Sequence, residues 1–172
     1  MDYDQATLQK FAQEIMVMVK HDQEMRQKFH TNKDWDSKVD PANTVRLKEI
    51  IETIGWPSIS KVGSDVSFGA WLLVQHADFD LDFQKSCLKL MKSLPKNECH
   101  QSNMAYLTDR IKVNSGKSQT YGTQFYTNKQ GKFTHRPIKD RKNLDKRRLS
   151  MGLEPFAEYS RLMDNLAKPS PR

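Results

Sequence analysis

The chain has 172 residues, long enough for one domain with a real core, and carries 28 Lys or Arg against 21 Asp or Glu, a net charge of +7. Eight Phe, three Trp and eight Met argue against disorder, and no apolar run approaches the roughly 20 residues of a membrane span. The polar start MDYDQATLQK is not a secretory signal and two cysteines make no disulfide framework, so a soluble, reducing, cytoplasmic setting is expected, with export lacking an N-terminal signal left open.

Leu8, Phe11, Ile15, Met18 or Val19, Met25 and Phe29 recur at three- and four-residue spacing and predict one long helix over residues 5–30. Asp40-Pro41 suits the start of a second helix, with Val45, Leu47, Ile50, Ile51 and Ile54 as its apolar face and Gly55 as its end. Arg46 lies in its first turns, where it can hold an anion or pair with a nearby carboxylate.

The segment from Ser64 to Gln84 is the most apolar of the chain. Ser64 or Asp65 is expected to cap the third helix, and Asp80 or Asp82 the fourth, which runs to Leu94. Gln75, His76 and Asp78 lie within the apolar run. Buried polar groups need partners, so these residues are either satisfied within the core or face a pocket. A fifth helix is predicted from Ser102 to Ile111. SQTYGTQFY and KFTHRPI alternate with period two and predict a hairpin across a turn at Asn128 to Gly131. A short basic helix then closes at Gly152, and Phe156, Tyr159, Leu162, Met163 and Leu166 mark a last helix before a frayed tail at 168–172.

The charge is uneven. Residues 129–148 hold nine basic and two acidic residues, a net +7 that equals the charge of the whole chain, so the remainder is neutral. Such a segment can attract phosphate or an acidic partner, or simply be a solvated face. There is no P-loop, HExxH, CxxC pair or GxSxG elbow.

The GWP turn at 55–57, QHAD at 75–78 with Gln84 beyond it, AYLTDR at 105–110, QTYGTQ at 119–124 and RRLSMGL at 147–153 recur as a set. With them the chain resembles the bacterial domain family catalogued as domain of unknown function 6624, over about residues 43–159. The resemblance implies that Gln75, His76, Asp78, Gln84, Asp109, Arg110, Gln119, Tyr121, Gly122, Thr123 and Gln124 belong to a shared pattern. It transfers no activity.

Those residues offer an imidazole, carboxylates, an arginine, amides and a tyrosine hydroxyl. Such variety exceeds what a core requires and suits a ligand site, although each group also fits a structural role. His76 is the natural general acid or base, oriented by Asp80 or Asp109, with Tyr121 as a further catalytic candidate. Arg110, Arg46 and Arg147 are candidates for an anionic group. Gln75, Asp78, Gln84, Gln119, Thr123 and Gln124 are candidate ligand contacts. No metal and no cofactor are expected, because His76 with Asp80 makes only two donors where about three are needed.

The expectation is therefore a single, mainly helical domain of five to seven helices with one β-hairpin, the hairpin and basic segment beside the QHAD helix. The leading reading is a hydrolase or transferase acting on an anionic, phosphate-bearing small molecule. The alternative is a non-catalytic module gripping nucleic acid or an acidic protein through residues 129–148. No membrane contact is expected.

Overall fold

A computed structural model describes residues 3–167, which leaves the expected frayed tail outside the described residues. The chain forms two compact units, Met1–His100 and Gln101–Arg172.

The first unit is helical: α1 Gln5–Asn32, α2 Val39–Ile54, α3 Ile59–Val62, α4 Ser64–His76 and α5 Leu81–Ser93. Asp4 caps α1 by accepting from the Thr7 N–H at 2.9 Å and the Thr7 hydroxyl at 2.7 Å. The inward face of α1 is Phe11, Ile15, Met18, Asp22 and Met25, spaced four, three, four and three apart. It packs on α2 and α4, which also pack on each other. Ile15, Leu47, Ile50 and Val74 are wholly buried, each worth about 1.5–3 kcal/mol of apolar transfer. Gly69 lets α4 approach α1, since a Cβ there would lie 2.9 Å from Val19.

Several local expectations are corrected. Helix α2 starts at Val39, and Asp40 lies inside its first turn, paired with Arg26 rather than acting as the cap. Val45 is 60% exposed, because the inward stripe follows Leu47, Ile50 and Ile54 and Val45 falls across the helix from it. Neither Ser64 nor Asp65 caps α4. Gly63, at φ 88°, precedes it, and the Ser64 hydroxyl instead meets His100 Nε2 at 3.0 Å. The chain breaks after His76, and Asp80 caps α5 by accepting from the Phe83 N–H at 3.0 Å.

The second unit contains α6 Gln101–Asn114, an antiparallel pair β1 Phe125–Thr127 and β2 Phe133–His135, then α7 Leu144–Ser150 and α8 Phe156–Leu166. Phe125 stacks on Phe133 at 5.5 Å and meets Tyr159 edge-on at 5.7 Å, so the hairpin aromatics serve this unit's packing. The strands are shorter than alternation suggests. Residues 118–124 are drawn off the ladder to wrap a buried carboxylate, with one parallel bridge from Gln119 to Ile138. In α8 only Phe156 and Tyr159 are buried, and Leu162 and Leu166 are exposed.

The described residues thus hold eight α-helices and one hairpin, one helix more than the upper bound expected. The additional one is α3, a single turn that carries too little periodicity to be read from sequence. No helix among the described residues is long and apolar enough to cross a membrane.

Candidate functional site

The first unit gathers four charged or titratable side chains from three helices. Asp22 and Arg26 are one turn apart on α1, Asp40 lies in the first turn of α2, and His76 ends α4. The Asp22 side chain is wholly buried, while those of Arg26, Asp40 and His76 keep 24%, 16% and 16% exposure. His76 Nδ1 lies 2.8 Å from Asp22 Oδ1. Arg26 Nη2 bridges the carboxylates, 3.2 Å from Asp22 Oδ1 and 2.9 Å from Asp40 Oδ1, and its Nε lies 3.1 Å from His76 Nδ1. The guanidinium carbon sits 5.2 Å over the Trp35 ring.

Nδ1 cannot donate to Asp22 and accept from Arg26 at the same time. The shorter contact, to a buried anion, favours a proton on Nδ1 directed at Asp22. Nε2 then carries the lone pair, and no hydrogen bond reaches it among the described residues. Burial works to raise the Asp22 carboxyl, but the hydrogen bonds and charges of His76 and Arg26 outweigh it and hold the group below its usual range. Asp40 goes the other way: burial, helped by the Asp22 charge, raises it despite Arg26.

The other expected residues of this unit lie around that cluster or pair elsewhere. Gln84 is buried in α5, and its Nε2 donates to the Val74 carbonyl at 3.1 Å and to Asp78 at 3.2 Å. The buried Oε1 atoms of Gln75 and Gln84 have no hydrogen-bond partner among the described residues. Asp80 pairs with Lys48, so the carboxylate that meets His76 is Asp22. Arg46 pairs with Glu14 at 2.6 Å and with Glu49.

In the second unit the AYLTDR and QTYGTQ segments build a different object. Asp109, wholly buried on α6, accepts from the backbone N–H groups of Thr120, Tyr121 and Thr123 at 2.5–3.1 Å and from the Thr123 hydroxyl at 3.2 Å. Gln119 completes the loop. Its Nε2 donates to the Gln124 and Arg136 carbonyls, and its Oε1 accepts from the Gln124 N–H at 2.8 Å. Gln124 Nε2 donates to the Thr123 hydroxyl at 3.1 Å. Gly122, at φ 72°, turns where a Cβ would lie 2.8 Å from the Phe156 ring. Burial and the Asp109 charge raise the Tyr121 hydroxyl. Arg147 donates to the carbonyls of Thr120, Lys139 and Asp140. Arg110 is half-buried on α6 beside Asp109.

The family of unknown function DUF6624 matches residues 9–168. The chain belongs to that family. No curated protein matches it, and neither does any solved structure. Within this DUF6624 chain the motif residues divide by unit: QHAD contributes to the α1–α2–α4 cluster, and AYLTDR, QTYGTQ and the double arginine to the Asp109 loop.

Sequence reasoning missed Asp22, Arg26 and Asp40. A signal for Asp22 was present: between Met18 and Met25 the apolar stripe of α1 skips one inward position, and Asp22 fills it. Asp40 was masked by its resemblance to a helix cap, and Arg26 had only its four-residue spacing from Asp22.

Proposed function

We propose that the first unit is a proton-transfer site, with His76 as the general acid or base of a hydrolase or transferase acting on a small anionic, phosphate-bearing molecule. The observation that carries this reading is the 2.8 Å contact between His76 Nδ1 and the wholly buried carboxylate of Asp22. A buried acceptor fixes the ring and its tautomer and stabilises the imidazolium that forms when Nε2 takes a proton. Arg26 supplies guanidinium donors beside the ring. A substrate anion would compete with Asp40 for Arg26, since both side chains keep some exposure to solvent.

The test is a panel of phosphomonoesters, phosphodiesters and nucleotides offered to the whole chain and to His76→Asn and Asp22→Asn. Each variant is expected to lose about 10²–10⁴-fold in turnover while keeping its helical circular dichroism. Full activity in folded His76→Asn would end the proposal.

A second reading is supported by the basic segment. Lys129, Lys132, Lys139, Arg141, Lys142 and Lys146 are exposed, and Arg136 lies 4.0 Å over the Tyr126 ring. Arg147 and Arg148 are spent on carbonyls within their own unit, which lowers the charge free for a partner. On this reading a nucleic acid binds with affinity that falls steeply with salt, and charge reversal of the exposed lysines removes binding while His76→Asn leaves it unchanged.

A further inference from the structure

The same three helices place one nitrogen and two carboxylate oxygens around a point that Arg26 now fills. The donor atoms of Asp22, Asp40 and His76 all lie within 4.8 Å of one another. The cluster is not balanced in charge. Asp22 and Asp40 bring two negative charges and Arg26 one positive charge, and the Asp22 side chain is wholly buried. A divalent ion with a neutral imidazole balances both carboxylates.

We propose that Asp22, Asp40 and His76 form a site for a divalent first-row transition ion, which enters by displacing the guanidinium of Arg26. One imidazole and two carboxylates suit Zn²⁺ with a water or ligand in the fourth position. Donors at about 2.0–2.2 Å from a tetrahedral ion lie about 3.3–3.6 Å apart, so a pair near the 4.8 Å limit must close by about 1.2–1.5 Å. Asp40 and His76 reach solvent and can make that adjustment, while Asp22 is the fixed member. Arg26 keeps 24% exposure and so has an outward path, and the ion has an inward one.

The ion would take the Nδ1 lone pair and leave the ring proton on Nε2. The ion-loaded and proton-transferring forms are therefore alternatives, and Zn²⁺ should suppress any activity that depends on His76. Ion binding does not rest on the proton-transfer reading. A chain that binds Zn²⁺ here and turns over no substrate overturns that reading alone, and turnover without ion binding overturns this one alone.

Calorimetric titration of the chelator-treated whole chain with Zn²⁺ is the test, with the thermal midpoint read in parallel. One ion per chain is expected, with Mg²⁺ far weaker because it favours all-oxygen octahedra. Asp40→Asn and His76→Gln should each weaken binding by about tenfold or more, through loss of a ligand. Arg26→Met should tighten it by about tenfold, because the competing cation is gone. That gain separates the proposal from general loss of structure, which would weaken binding in all three variants. Absence of binding by the parent chain, equal affinity in Asp40→Asn and His76→Gln, or weaker binding by Arg26→Met would each overturn it.

Discussion

Two wholly buried aspartates, one in each unit, are solvated by the protein in opposite ways. Asp109 accepts from the main chain of a single loop and from one hydroxyl. Asp22 accepts mainly from side chains: an imidazole, a guanidinium and the Gln23 amide. Backbone donors cannot rotate away, so the Asp109 carboxylate holds its loop in place. Side-chain donors can turn to water, exchange partners or carry a proton. Burial alone therefore does not tell the two carboxylates apart, whereas the mobility and titratability of their donors do.

The comparison breaks most visibly at the loop. Asp109→Asn turns an amide donor toward N–H groups that have no other acceptor, and a loss of about 4 kcal/mol in denaturant unfolding is expected. Gly122→Ala forces a positive φ on a residue with a Cβ pressed against Phe156, and should cost about 2–3 kcal/mol. Asp22→Asn should cost less, about 2 kcal/mol at neutral pH, because Arg26 and His76 can find water. If Asp22→Asn proved as damaging as Asp109→Asn, the distinction between mobile and fixed donors would fail.

The pH dependence sharpens the same contrast. The Asp22 carboxyl is lowered in the fold from its ordinary 3.8, so its contribution is full above that value and is lost as pH falls through the folded value. Stability curves of the parent and Asp22→Asn should run parallel from neutrality to about pH 4 and converge below it. Asp40 is raised, so its contribution is full below its ordinary value and is lost as pH rises through the folded one. The smallest effect is expected for Asp40→Asn, under about 1 kcal/mol at neutral pH, where relief of a half-buried charge offsets the lost partner of Arg26.

The architecture was legible where periodicity is strong. The stripes of α1, α5 and α6 are long enough to announce themselves, and Gly55 ended α2 as read. Single-turn α3 was not legible, and neither was the diversion of residues 118–124 from strand to loop, because the same alternation serves both. Of the candidate site, His76 stood out by chemistry. Its partner did not, because Asp22 is 54 residues away and Asp80, in the same segment, looked the nearer choice.

The order of amino acids by itself determined the helical character, the hairpin turn, the family and the concentration of charge in residues 129–148. These are local or compositional properties, set by spacing along the chain. Only tertiary structure decided which carboxylate meets the imidazole, that Arg26 bridges Asp22 and Asp40, and that Arg147 and Arg148 donate to carbonyls of their own unit. The reason is physical: a buried charge takes whichever partner the packing brings within 3 Å or so, and packing follows contacts between helices that sequence distance does not encode.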